Sequence, residues 1–447
     1  MTRAVRQVLV IGLGAAVVWL DSAVNIAFPA IVRGFDLAIG DIQWVVISYV
    51  LTYTSLLLAF GRVGDIFGHA LVFRLGLVTS AIALLLCALS PSYPELLLCR
   101  FLQGIGASLV LSCGPALTTG LYGEDRRSRV LGLYTMMMAV GATLGPFLGG
   151  LLTTAWGWPA VFWFRVPIAL AALAALGTLP VPPRGAARER FDFAGALLLV
   201  LALVALLLAL SRLSGRAAMP LGALSLAALA GFVWQELRSE RPVLDLRVFR
   251  LPGFALLNLA SILTNLAGFA VWLLVPFYLT RASANFTLGE SGAVLAAASL
   301  GAVVAGPGTA RLIGWIAAER LAPIGAAMVS AGLALISLWD GSTATSALIA
   351  ALLVQGLGIG VFQLAYVDIV TATIPRQHRG VAGSLAMVTR TLGTVGAAAL
   401  VMLLFQRVAA AGDFFAAFRR SFGLAALLPF AMAVLLAWRA HRANARR

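Results

Sequence analysis

Apolar runs about twenty residues long recur along this chain, separated by short stretches that carry charge, glycine or proline. About twenty residues is what an α-helix needs to cross the hydrocarbon of a bilayer, so the pattern predicts membrane spans. Windows of that kind fall at 8–32, 44–60, 70–90, 95–121, 130–153 and 159–179, then at 193–211 and 217–235. Six more follow at 254–280, 289–310, 319–339, 344–373, 380–405 and 421–438. The expectation is an all-α polytopic membrane protein of fourteen spans, arranged as six, two and six. The second window is short and the boundary between the tenth and eleventh windows is blurred, so thirteen is the competing count.

Composition removes the soluble alternatives. Of 447 residues 61% are apolar and 11% charged, with a mean hydropathy of +0.99. A soluble protein carries roughly a quarter of its residues as charge, so a soluble enzyme is excluded. The net charge of +15 raises the possibility of nucleic acid. Nucleic-acid binders cluster their charge on a polar face, whereas here basic residues punctuate the apolar runs.

All 32 basic residues are arginine, and their distribution predicts orientation by the positive-inside rule. With the N-terminus in the cytoplasm and fourteen spans, inner loops and tails hold 22 arginines, outer loops seven and the spans three. Thirteen spans would put the arginine-rich C-terminus outside, so fourteen with both termini cytoplasmic is preferred. The first run is too long for a signal peptide and contains Asp21 and Asn25, which reads as a retained span. The polar stretch 180–192 and the charged interfacial segment 236–250 bound the central pair of spans. The division expected is 1–180, 181–253 and 254–447.

Little in the chain points to catalysis. Cys87, Cys99 and Cys113 fall in spans and imply packing thiols rather than disulfides. His69, His378 and His441 all fall in inner loops or the tail, and no metal-binding spacing occurs. Neither a metal nor another cofactor is expected. A Walker loop requires lysine, which is missing, so ATP is not the direct energy source.

Five charges lie inside predicted spans: Asp21, Arg100, Arg165, Asp368 and Arg390. Each costs several kcal/mol in lipid unless paired or hydrated, which makes it a candidate for function. Arg165, near a span end, fits snorkelling as well as function, and Asp368, two turns from Pro375, fits an interfacial position as well as function. Asp21 lies about 17 Å from the outer end of its span, and Arg100 enters about 9 Å from the same side, so the two can pair. Asn25 shares a face with Asp21, and Gln103 with Arg100. Arg390 and Asp368 offer a second acid–base pair. A carboxylate that alternates between a paired and a desolvated setting can take up and release a proton.

Six motifs now resemble those of one family, over essentially the full chain. LDSAVNIAFP at 20–29 is similar to the LDxTVVNVALP signature of the fourteen-span drug:proton antiporters of the major facilitator superfamily. GRVGDIFGH at 61–69 resembles the superfamily loop after span two, RFLQGIG at 100–106 fits RxxQGxG, and GATLGPFLGG at 141–150 fits the antiporter run GxxxGPxxGG. PVLDLRVFR at 242–250 resembles the linker into span nine; RGVAGS at 379–384 and TRTLG at 389–393 resemble the entry to span thirteen.

The resemblance implies a major facilitator fold, two six-helix bundles plus two central helices, in a bacterial inner membrane and acting as a monomer. It implies proton-coupled antiport of an amphipathic small molecule by rocking of the two bundles. Asp21, Asp368 and Arg100 are the candidate proton-coupling residues. Asn25, Phe28, Arg100, Gln103, Arg165, Trp272, Gln363 and Arg390 are the candidate substrate-cavity residues. Gly61, Asp65, Gly68, Gly141, Gly145, Pro146, Gly149 and Gly150 are the candidate gating residues: Asp65 would grip the inner gate, Gly61 and Gly68 would permit a tight turn, and the glycine run would let helices close. Three departures stand out. Ile66, His69 and Ala70 occupy positions that are usually basic, the matching loop at 314–320 lacks a clear Asp, and Arg165 stands where relatives often carry Asn. Three intramembrane arginines against two acids also fit uptake or facilitated passage of an organic anion. A non-transporting membrane scaffold or enzyme is the third reading.

Overall fold

The computed structural model describes residues 3–120, 127–176, 192–211, 218–238, 251, 253–281, 286–313, 315–373, 379–409 and 413–444. The linker motif at 242–250, most of the polar stretch 180–192, the remainder of the interfacial segment beyond 238, Gly314 and His378 lie outside them. The described residues are helical, without a strand. In lipid every backbone N–H and C=O must find a partner within the protein, and a helix provides that locally.

The first six sequence windows become α1 (Arg3–Trp19), α2 (Ser22–Ile26), α3 (Phe28–Gly34), α4 (Gln43–Phe67), α5 (His69–Ala88), α6 (Tyr93–Gly120), α7 (Arg127–Trp156), α8 (Ala160–Trp163) and α9 (Arg165–Leu176). The central pair are α10 (Phe193–Ser211) and α11 (Ala218–Arg238). The last six are α12 (Phe254–Leu279), α13 (Leu288–Ile313), α14 (Ala318–Ile336), α15 (Thr345–Thr373), α16 (Arg379–Ala409) and α17 (Phe414–Asn444).

Among the described residues eleven helices are long and apolar enough to cross a membrane, or twelve if the pair 39–57 and 59–67, bent by 48°, is one span. The sixth and seventh windows fall on shorter apolar stretches, Ala160–Leu176 and Leu197–Leu206. The described residues thus support eleven or twelve spans, and the expected count of fourteen is not reached among them.

The chain clusters into two units, Met1–Leu201 with Leu288–Gly292, and Ala202–Thr287 with Ala293–Arg447. In unit 1, Val8, Ile11 and Ala15 of α1 pack with Phe73 and Leu77 of α5 and Val110 of α6. In unit 2, Leu257 and Ala260 of α12 pack with Ala326 of α14, Phe362 and Tyr366 of α15 and Met432 of α17. Large apolar side chains also face outward in both units, among them Leu98 and Leu338, as a protein solvated by lipid requires.

The window 8–32 is not one continuous helix. Around Asp21 the backbone winds tighter: the N–H groups of Asp21, Ala23 and Val24 reach the carbonyls three residues back, at 3.2, 3.0 and 2.9 Å. Side chains brace the tightened segment. Ser22 Oγ donates to Trp19 O at 3.2 Å and to Ala142 O at 3.0 Å, and Tyr49 Oη donates to Val18 O at 3.4 Å. Downstream Pro29 lies in the first turn of α3, where it has no N–H to lose. Irregular backbone at this depth is tolerated because it is enclosed by neighbouring helices.

Candidate functional site

The break between α1 and α2 places the Asp21 carboxylate among α4, α6 and α9. Arg100, on α6, donates to both of its oxygens, Nη1 to Oδ1 at 2.6 Å and Nη2 to Oδ2 at 2.9 Å. Gln103, one turn further along the same helix, donates Nε2 to Oδ1 at 2.9 Å. Arg165, the first residue of α9, donates Nη1 to the same Oδ1 at 2.9 Å. Oδ1 thus accepts three bonds and Oδ2 one.

Other groups hold the arginines in place. Arg100 Nη1 also reaches Gln103 Oε1 at 2.8 Å, and its Nε reaches Val45 O at 3.0 Å. The Tyr49 ring lies 4.2 Å from the Arg100 Cζ, a cation–π contact strengthened by exclusion of water. Arg165 Nε is anchored to Val161 O, one turn back, at 3.0 Å, and Phe162 flanks both guanidinium groups. Arg165 Nη2 is buried with no hydrogen-bond partner.

Burial gives the cluster its chemistry. Arg100 is 2% exposed and Arg165 0%, while the Asp21 side chain keeps 14%. Two cations share one carboxylate, so the buried cluster carries one positive charge in excess. Isolated buried charges are costly, and paired ones persist only when well hydrogen-bonded. Arg100 meets that condition with every nitrogen; Arg165 meets it with two of three.

The glycine run of α7 lies against this break. A Cβ on Gly141 would sit 2.9 Å from Ala16 O, and one on Gly149 would sit 2.6 Å from Ala23 O and 2.8 Å from Ala23 Cα. At Gly145 the obstacle is the Ser22 hydroxyl, and at Gly150 the Leu288 carbonyl, whose segment Leu288–Gly292 clusters with unit 1. Pro146 is buried inside α7, which continues through it from Arg127 to Trp156. Side chains are missing along this stripe because backbone occupies their space.

The other candidates are placed differently. Asn25 is half-buried on α2 and stands apart from the hydrogen bonds of Asp21; Phe28 is fully buried among packing residues. Gly68 ends α4 with φ 97°, the conformation a glycine permits. Gly61 instead lies inside α4, so the expected turn uses Gly68 without it. Asp65 is exposed and pairs with His69 Nε2 at 3.3 Å, an i,i+4 contact across Gly68.

In unit 2, Trp272 of α12, Gln363 of α15 and Arg390 of α16 are half-buried. Asp368 is exposed and makes no ion pair among the described residues, so the second acid–base pair anticipated with Arg390 is not formed. The polar centre of this unit is one that sequence reasoning missed. Tyr366 Oη donates to Asn258 Oδ1 at 2.9 Å and shares a 3.1 Å bond with Thr389 Oγ1, which lies 3.0 Å from Ser261 Oγ. Asn265 Nδ2 closes onto Ser261 O at 2.8 Å. A signal existed: Asn258, Ser261 and Asn265 recur at i, i+3 and i+7, one face of a helix. Tyr49 was missed likewise, although Tyr49 and Tyr53 form an i,i+4 pair in an apolar run.

A broken helix carrying a buried acid among arginines, in a bundle of apolar helices, is the setting of a transporter. The model of the Major Facilitator Superfamily matches residues 10–398. The chain belongs to the major facilitator superfamily. It is a multi-pass membrane transporter, and members of this superfamily are transporters, not enzymes. It is 27% identical over 386 residues to the riboflavin transporter RibZ of Clostridioides difficile (strain 630), covering 86% of this chain and 84% of that one. It is 30% identical over 420 residues to the tetracenomycin C resistance and export protein of Streptomyces glaucescens, covering 91% and 76%. The crystal structure of the POT family transporter PepTSo superimposes with a TM-score of 0.72 over 99% of both chains at 13% identity, a likeness of fold alone.

Proposed function

We propose that this transporter exports an amphipathic small molecule in exchange for protons, by alternating access, with Asp21 as the proton carrier. The observation that carries this reading is the sharing of one membrane-buried carboxylate between Arg100 and Arg165. Protonation at Oδ2 breaks a single hydrogen bond, the one from Arg100 Nη2, and leaves the three on Oδ1 in place. The carboxyl therefore has one oxygen on which a proton is taken at least structural cost. Export is supported by the antiporter run at 141–150 and by the likeness to the tetracenomycin C resistance and export protein.

In this reading the chain crosses a bacterial inner membrane fourteen times with both termini cytoplasmic, acts as a monomer, and divides at 1–180, 181–253 and 254–447. The drug:proton antiporter branch of the superfamily is its place.

The test uses inverted vesicles carrying the protein, an imposed pH gradient and a panel of fluorescent amphipathic probes. Probe accumulation driven by the gradient is expected with the natural chain and absent with Asp21→Asn. Unchanged proton-coupled accumulation in that variant removes Asp21 from the role.

A second reading, passage of an organic anion, is favoured by one specific observation. The cluster holds an excess positive charge, and Arg165 Nη2 has no acceptor. An acidic group on the substrate satisfies both. Direction of flux in intact cells, with and without a protonophore, separates the two readings.

A further inference from the structure

Unit 2 carries a groove on its surface between α14 and α17. Its volume is about 560 Å³, within the range of pockets that hold small ligands. Ile324, Ala433, Val434 and Phe430 line its length, and Arg320 and His441 stand at one end. Along α17 the groove runs from Phe430 to His441, about 16 Å at 1.5 Å per residue.

The walls identify the solvent. Ile324 is 49% exposed, Phe430 56% and Val434 52%, on two helices that are each apolar enough to span a membrane. Exposed apolar side chains on helices of span length face hydrocarbon, so the length of the groove opens to lipid. The basic end differs. Arg320 and His441 make no side-chain hydrogen bond or ion pair among the described residues. Arg442, on the next residue of α17, stacks on Trp438 at 3.8 Å. The acid nearest in sequence, Glu319, is one residue from Arg320 and so lies about 100° round α14, on another face.

His441 and Arg442, in the last turn of α17, complement that helix's negative end. Arg320 does not: it sits in the first turn of α14, the positive end, where a cation is unfavourable and an anion favourable. An anionic group between Arg320 and His441 is favoured by both side chains and by the α14 terminus.

We propose that this groove binds an anionic phospholipid, with an acyl chain along Ile324, Ala433, Val434 and Phe430 and its phosphate between Arg320 and His441. The site is separate from the Asp21 cluster and does not depend on the transport reading. It makes the lipid a structural ligand of unit 2.

The test is native mass spectrometry of the purified full-length protein, titrated with phosphatidylglycerol and phosphatidylcholine of identical acyl chains. Retention of phosphatidylglycerol is expected to exceed that of phosphatidylcholine by about five-fold, the preference that one arginine gives for anionic lipid. Arg320→Ala with His441→Ala is expected to bring the two lipids to parity. Arg320→Lys, which keeps the charge, is expected to retain the preference and controls for misfolding. Ala433→Leu, which fills the groove, is expected to lower retention of both lipids. Equal retention by the natural chain overturns the proposal, as does a preference that survives the double variant. Thermal stabilisation by inorganic phosphate equal to that by phosphatidylglycerol also overturns it, since the groove then contributes nothing.

Discussion

Both units bury a cluster of polar side chains among apolar helices, but unit 1 builds its cluster from charges and unit 2 from neutral groups. Asp21, Arg100, Gln103 and Arg165 form the first; Asn258, Ser261, Tyr366 and Thr389 form the second. The outer supports are alike. In unit 1 the Tyr93 hydroxyl donates to the carbonyl of Asp41, and in unit 2 the Tyr278 hydroxyl donates to the carbonyl of Asp340. Each tyrosine sits among aromatic rings, Phe35 beside Tyr93 and Trp339 and Phe418 beside Tyr278. The contrast therefore lies in the polar clusters rather than in these supports.

It matters because the two clusters respond differently to a proton. Amide and hydroxyl groups stay neutral throughout the physiological range, so the unit 2 cluster works as fixed adhesive between α12, α15 and α16. A carboxylate shared by two arginines changes its charge balance from one excess positive charge to two when protonated. Among the described residues, the buried polar cluster of unit 1 contains a carboxylate and that of unit 2 does not, and the unit 1 cluster stands at a break in a helix.

Substitutions can strain this contrast. The largest effect is expected from Arg100→Ala, which strips both oxygens of Asp21 of their bidentate partner. A loss of about 3–5 kcal/mol in stability is expected, read by thermal unfolding in detergent. If the loss is no greater than that of a neutral hydrogen bond, the ionic character of unit 1 is not what stabilises it.

Gly149→Ala comes next. Its new methyl meets the backbone of Ala23, which cannot rotate away, at a cost of about 1–3 kcal/mol. Gly358→Ala in unit 2 provides the matched control, since its methyl meets the Gly325 carbonyl at 2.9 Å. Similar losses of stability are expected from both, but only Gly149→Ala, beside the Asp21 break, should alter the pH dependence of transport.

A smaller loss is expected from Tyr366→Phe, which removes two hydroxyl bonds of unit 2 for about 1 kcal/mol, with transport retained. Arg165→Asn is expected to change stability least, within about 1 kcal/mol, because losing one bond to Asp21 is offset by removing an excess charge and an unsatisfied donor. Its readout is selectivity: transport of anionic probes should fall relative to cationic ones. An unchanged ratio removes Arg165 from any role in charge selection.

Much of this could be read from the chain before its fold. Apolar runs of span length give the helices directly, because lipid leaves the backbone no alternative. The membrane cost of a charge singled out Asp21, Arg100 and Arg165. The pairing of Asp21 with Arg100 was legible from their depths; what escaped was the rest of the grouping. Asp368 and Arg390 satisfy the same criterion of an ionisable residue in an apolar window, yet Asp368 is exposed and makes no ion pair among the described residues. Window position measures depth along the normal and is silent on which way a side chain faces. The unit 2 cluster was passed over because neutral side chains carry no such cost signal.

By itself, then, the sequence determined that this protein is a membrane bundle, which positions carry charge within it, and where α7 must lack side chains. Hydrophobic length and the energetic cost of buried charge are properties of the chain in its solvent, so they can be read along one dimension. The tertiary structure alone decided that Arg165 joins Arg100 on Asp21, that the helix breaks there, and that Tyr49 stacks beneath. Those facts depend on the meeting of α1, α4, α6 and α9 within a few ångströms, and no spacing along the chain records it.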